Sequence, residues 1–236
     1  MTTPELSAIV LCYRAEEAVL RLLEPLVDVL ESSGVSWELV LVANYRPGVD
    51  DRTPAVVEAF ARERSAVRTV IREKEGAMGW DMRTGLDAAI GEVLVVIDGD
   101  LQNPPADVLR AYRLLKESGA ALVKGRRTLR HDGPLRCAVS IGYNALFRVV
   151  FATRGLWDIN GKPKALTREA HRRLGLRSDD WFIDAEMVLA ARRASLEIRE
   201  LPVTFDANEE RRSFVRAHAV WEFLRNIARA RLGRPR

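Results

Sequence analysis

The sequence predicts an α/β protein with a mostly parallel central sheet flanked by helices. Strand and helix signals alternate strictly through the first 125 residues, the pattern of successive βαβ units. The run Val93-Leu-Val-Val-Ile97 is unbroken, apolar and largely β-branched, as a parallel strand covered on both faces requires. It leads directly into Asp98-Gly-Asp100 and Leu101-Gln-Asn-Pro-Pro105, and ligands of open α/β sheets collect at the carboxyl ends of strands.

In chain order, the apolar run Leu6–Cys12 opens the sheet and a helix over Glu16–Ser32 follows it. Glu38–Ala43 is the second strand, and the second helix spans Pro54–Arg64, with proline suited to its first turn. A strand at Val67–Ile71 precedes a helix at Asp81–Ala89, and Val93–Ile97 precedes one at Pro105–Lys116. Ala121–Lys124 closes this series. After Gly125 the pattern changes to basic loops, helices and one further strand near Leu196–Val203. There is no internal repeat, low-complexity segment or linker, so residues 126–236 are expected to pack on residues 1–125 as one domain.

A chain of 236 residues with 47% apolar and 30% charged residues has an ordinary globular composition. The first residues lack a basic region followed by a long apolar run, so no signal peptide is expected, and nothing offers about 20 uninterrupted apolar residues to span a bilayer. Cys12 and Cys137 have no metal-ligand spacing and point to a reduced, cytoplasmic setting. The net charge of +4 favours anionic partners, phosphates or a lipid surface, without choosing between them. Nucleic acid is disfavoured because the basic residues are not interleaved with stacking aromatics.

Two carboxylates one residue apart, Asp98 and Asp100, can share a hard divalent cation, and magnesium held this way completes its shell with water and substrate phosphates. A polar turn is the alternative, since Asp-Gly and Asn-Pro-Pro are also turn chemistry. Lys124, Arg126, Arg127, Arg130 and Arg136 form a basic loop that is either a solvated surface or a phosphate site. Between Ala138 and Ala152 the polar residues Ser140, Asn144 and Arg148 recur every fourth position, one narrow stripe on an otherwise apolar helix. Such a helix is either deep core or an interfacial insertion. Ala217–Leu232 reads as a basic amphipathic helix carrying Trp221, which either lies on anionic lipid or caps the domain.

Taken together, the motifs resemble a GT-A-fold (Rossmann-like) glycosyltransferase of the inverting family 2 type, which includes dolichol-phosphate mannose synthase and polyprenyl-phosphate glycosyltransferases. The residues that carry the resemblance are Tyr13 and Glu16; Gly76 to Ala89 with Arg83; Asp98-Gly-Asp-Leu-Gln102; and Gly125-Arg-Arg127. Asp158-Ile-Asn-Gly161-Lys-Pro-Lys, Trp181-Phe-Ile-Asp-Ala-Glu186 and Arg211-Arg-Ser213 complete it. The resemblance implies that residues 1–125 bind a nucleotide-diphosphate sugar and residues 126–236 bind the acceptor and carry the amphipathic helices. It implies that Asp98, Asp100 and Gln102 hold Mg2+ or Mn2+ at the diphosphate, with Tyr13, Glu16, Asn44 and Arg83 on the nucleotide side. Arg127, Arg136, Asp184, Arg211, Arg212, Ser213 and Arg216 fall on the acceptor side. Glu186 lies near the sugar, where it contacts hydroxyls or acts as base. The implied acceptor is a polyprenyl phosphate at the cytoplasmic face of a membrane, reached peripherally, alone, as a homo-oligomer or with a membrane protein. The alternatives are a hydroxyl acceptor on a polysaccharide or small molecule, with Asp184 or Glu186 as base, and a non-catalytic subunit.

Two departures stand out. Leu11-Cys-Tyr-Arg14 replaces the family's Pro-x-Tyr-Asn, and Val42-Ala-Asn-Tyr-Arg46 replaces its paired aspartates followed by Gly-Ser. Asn44 can hydrogen-bond but carries no charge, which bears on the nucleobase.

Overall fold

The computed structural model describes residues 3–130, 134–153, 155–206 and 225–231, with the side chains of residues 130 and 134–136 excepted. Its strands are β1 (Leu6–Leu11), β2 (Trp37–Val42), β3 (Val67–Val70), β4 (Val93–Asp98), β5 (Leu122–Arg130), β6 (Lys164–Thr167) and β7 (Ile198–Phe205). They form a seven-stranded sheet in the order β3-β2-β1-β4-β6-β5-β7. β1 pairs in parallel with β2 and β4, β2 with β3, and β5 with β7; β6 runs antiparallel to both β4 and β5.

The helices are α1 (Leu20–Glu31), α2 (Thr53–Arg62), α3 (Met78–Ala88), α4 (Ala106–Ser118), α5 (Pro134–Phe151), α6 (Arg168–Leu174) and α7 (Ile183–Arg193), with a short 3-10 turn at Glu16–Val19 ahead of α1. Alternate residues of the central strands feed two cores. Ala8, Val10, Leu39, Leu41, Val93, Val95 and Ile97 meet α1, α2 and α4 on one face. Ile9, Leu11, Val40, Val42, Leu94 and Val96 meet α3, α6 and α7 on the other. Every residue of β1 is buried, which is why this strand reads as a continuous apolar run with no alternation. A third cluster, with Phe147, Ile159, Phe182, Val188 and Ile227, joins α5, α7 and the helical residues 225–231.

The first 120 residues follow the predicted element order with ends shifted by a few residues. The second half needs two corrections. The basic segment beginning at Lys124 is the strand β5, not a loop, and runs to Arg130. β6 was not anticipated, because Lys164-Ala-Leu-Thr167 is only four residues long and opens on a lysine.

Candidate active site

In this sheet β1 lies between β2 and β4, so consecutive connections leave in opposite directions from β1, and a crevice opens at the strand ends there. Asp98 ends β4 opposite Leu11 of β1. The Gly99 N–H then donates to the Leu11 carbonyl at 2.9 Å, an approach too close for any larger residue. Leu101 takes a left-handed φ of 63°, which turns the chain sharply after Asp100. The Gln102 N–H donates to Asp100 Oδ1 at 3.1 Å and fixes that carboxylate. Asp98 and Asp100 are both partly exposed at the crevice. No cluster of three or more His, Cys, Asp or Glu able to hold a metal exists among the described residues. Among the described residues two carboxylates could hold a cation here, and phosphate oxygens and water could share its shell, an arrangement that suits magnesium or manganese on a diphosphate. Gln102, expected as a third ligand, is buried; its side-chain amide donates to the Asp206 carbonyl at 2.8 Å and ties the turn to the end of β7.

Of the residues expected on the nucleotide side, Tyr13 follows β1 with the Lys74 ammonium 4.0 Å from its ring centroid. Glu16 is exposed at the start of the 3-10 turn, its backbone N–H bonded to Thr53. Asn44 is buried. Its amide donates to Asp81 and Thr84, both at 3.0 Å, and its carbonyl accepts from the Arg72 N–H at 3.0 Å. Lys74 and Asp81 form a buried ion pair beside it, which sequence reasoning missed. Burial pushes the Lys74 pKa down and the Asp81 pKa up, and each charge opposes the shift in the other. Arg83 pairs with Asp179 and donates to the Arg177 carbonyl at 3.3 Å. Gly76 and Gly79 lie so close to the backbone of Ser178–Asp180 that a Cβ on either would collide with it. The first turn of α3 is thus clamped to the segment leading into α7.

The residues expected on the acceptor side belong to a buried network of charges. Arg127 forks onto Asp158, with Nε–Oδ2 and Nη2–Oδ1 both 2.7 Å, and its own N–H bonds the same carboxylate. Burial alone would raise the Asp158 pKa; Arg127 reverses this and holds it at about 2. Lys124 donates to the Asp158 carbonyl at 2.5 Å and pairs with Glu200. Lys162 places its ammonium 3.0 Å from both oxygens of Asp184, and Lys164 lies 3.3 Å from Oδ1. Burial pulls Lys162 down, but Asp184 and then Asp98 outweigh it and its pKa is raised. Lys164 falls to about 8, chiefly through burial, with Asp184 opposing and Lys162 and Lys124 adding to the fall. Glu186 accepts the backbone N–H groups of Arg177 and Ser178 at 2.8–3.2 Å. The side chain of Arg136 and all of Arg211, Arg212, Ser213 and Arg216 lie outside the described residues.

The polar stripe of α5 turns inward. Ser140 lies 3.4 Å from Arg127, Asn144 accepts from the Ile159 N–H at 2.9 Å, and Arg148 covers the ring of Trp157. Its apolar residues Val139, Ile141, Leu146 and Val149 are exposed, Val149 to 81%. Trp157, half exposed, lies between Arg126 and Arg148. No helix among the described residues is long and apolar enough to cross a membrane.

A model of the family described as glycosyl transferase family 2 matches residues 7–178. A dolichyl-phosphate beta-glucosyltransferase of Trichomonas vaginalis is 26% identical over 86% of this chain and 66% of its own length. A dodecaprenyl-phosphate galacturonate synthase of Rhizobium johnstonii is 32% identical over 55% of this chain and 38% of its own. The chain spans about two thirds or less of the length of the curated relatives it matches. Among solved structures, glucosyl-3-phosphoglycerate synthase from Mycobacterium tuberculosis, in complex with Mn2+, uridine-diphosphate and phosphoglyceric acid, superposes with a TM-score of 0.72. It is 18% identical, covers 99% of this chain and 80% of its own, and shares the GT-A fold.

Proposed function

The chain belongs to glycosyl transferase family 2, and from that premise we propose that it transfers a sugar from a nucleotide-diphosphate donor to a polyprenyl phosphate, inverting the anomeric carbon. The acceptor choice rests on the engagement of the two carboxylates that would serve as a base. A hydroxyl nucleophile needs a carboxylate positioned to take its proton. Asp184 is held by Lys162 and Lys164, and Glu186 by two backbone N–H groups. A phosphate monoester needs no such base: its second pKa is near 6, so it is an anion at neutral pH and requires positioning and charge screening. The printed names of the relatives, which include dolichyl and dodecaprenyl phosphates, support the same choice.

In this reading Asp98 and Asp100 hold Mg2+ or Mn2+ against the donor diphosphate. The bound cation supplies Lewis-acid neutralisation of charge on the leaving group. Asp100 is pre-set by Gln102, and Lys162 adds positive charge behind Asp98. Arg126 and Arg148, with Arg136 and the Arg211–Arg216 segment, are the proposed cradle of the acceptor phosphate, and the Arg127–Asp158 fork holds the floor beneath it. The outward apolar face of α5 beside Trp157 and its two arginines supports peripheral docking at the cytoplasmic membrane face, where such an acceptor resides.

The direct test offers the enzyme a matched pair of acceptors, a short polyprenyl phosphate and the corresponding free polyprenol, with each of several labelled nucleotide sugars. Product on the phosphate alone is expected. Transfer to the alcohol at a comparable rate would refute the acceptor assignment.

A further inference from the structure

The buried charges beside the Asp98-Gly-Asp100 turn do not balance among themselves. Lys124 pairs with Glu200, Arg127 forks onto Asp158, and Lys162 and Lys164 share Asp184. Among the described residues this network sets four cations against three carboxylates, and none of these side chains is more than 12% exposed. Lys164, at about 8, keeps its proton at neutral pH, so one positive charge is left over. An uncompensated charge in such a place is costly, and the surplus calls for a further anion.

That anion is Asp98, and the sheet register places it. β6 runs antiparallel to β4 with Val96 opposite Lys164, and two residues further along the same register Lys162 comes beside Asp98. The Asp98 charge stands second only to Asp184 among those that favour the Lys162 ammonium. The Lys162 carbonyl accepts from the Asn103 amide at 3.2 Å, so the backbone of this lysine is tied to the turn that follows Asp100. Its ammonium is fixed as well, 3.0 Å from each oxygen of Asp184. We infer that Lys162 is a positioning residue of the metal site, acting through Asp98 by holding that carboxylate partly neutralised. The fixed charge works in opposite directions on the two things the site must bind. It repels a lone cation from Asp98 and attracts an anionic diphosphate. Asp98 and Asp100 therefore take a divalent cation weakly by itself and tightly as the metal–diphosphate complex, so that metal and donor enter together.

This inference rests on the crevice being a metal–diphosphate site, and the experiment separates the two. Binding of Mn2+ alone is followed by loss of the free-ion electron paramagnetic resonance signal, and binding of the manganese–pyrophosphate complex by calorimetry. The proteins are the wild type, Lys162→Met, Asp184→Asn and Asp100→Ala. Lys162→Met leaves Asp184 with Lys164 as a partner, so no carboxylate is orphaned. Removing this buried unit charge should strengthen binding of Mn2+ alone roughly tenfold and weaken binding of the complex. Asp184→Asn deletes the negative partner of the same pair and should instead weaken binding of Mn2+ alone. Opposite shifts from the two partners of one ion pair require a charge effect, since damage to the fold lowers affinity in both. Unchanged or weaker Mn2+ binding by folded Lys162→Met overturns the inference, as does tighter Mn2+ binding by Asp184→Asn. If binding of the complex depends on Asp100 but neither variant shifts Mn2+ as stated, the positioning role alone falls. If Asp100→Ala binds the complex as well as the wild type does, or the wild type binds none, the donor site falls and the inference with it.

Discussion

Among the residues expected on the acceptor side, Asp158 is held by Arg127 through both side-chain and backbone bonds. Its carboxyl is held at about 2 against an ordinary value of 3.8. The fold thus prefers its ionised form, so the stabilisation is complete above about pH 4 and is lost as pH falls through about 2. It amounts to about 2 kcal/mol. Urea denaturation between pH 5 and pH 2 should show this loss, and Asp158→Asn should flatten the acid limb. An unchanged limb in the variant would assign the acid lability elsewhere. The sequence marked Arg127 as a phosphate ligand, whereas the structure forks it onto Asp158. That partner stands 31 residues away in the chain, and local spacing carries no sign of it. Asn44 shows the same limit. Its missing charge was legible at once, but the Lys74–Asp81 pair beside it depends on β3 and α3 meeting β2, which no window of sequence displays. Asp98 and Asp100 were legible because strand, strand end and ligand fall within a few consecutive residues.

Among the elements, α5 and β5 diverge most from expectation. A helix with one polar stripe usually turns that stripe to solvent. In α5 the stripe faces Arg127, Ile159 and Trp157, Phe147 packs into the core beside it, and Val139, Ile141, Leu146 and Val149 are left outward. The periodicity was readable; which side faced the protein was not, because the partners of the stripe come from distant segments of the chain. If this face docks on lipid, Ile141→Glu with Val149→Glu should lower partitioning onto anionic vesicles by about tenfold or more without lowering stability. Co-sedimentation checks this, and undiminished binding would remove α5 from the interface. β5 is held by a close crossing at which a Cβ on Gly125 would run into the backbone of Lys162, and one on Gly161 into Gly125 itself. Gly125→Ala should cost about 1–3 kcal/mol, seen as a lower urea midpoint at unchanged slope. A variant as stable as the wild type would show that the crossing can relax.

For the whole molecule, the alternation of strands and helices sufficed to predict a mostly parallel sheet, since each βαβ unit constrains its neighbour. It did not predict β6, the short antiparallel strand that lies between β4 and β5 and joins the two halves of the sheet. That strand places Lys164, and the turn before it places Lys162, under Asp184. A single inserted strand thus places the two lysines that engage Asp184. We propose that Asp98 and Asp100 anchor a metal-bound donor whose sugar passes to a lipid phosphate. This is tested most directly by following label from a panel of nucleotide sugars into polyprenyl phosphate in detergent, with manganese or magnesium and again with chelator. The account predicts a mild-acid-labile lipid product that requires the metal and disappears in Asp100→Ala. Lipid product formed equally well in chelator, or by the Asp100→Ala enzyme, would contradict it.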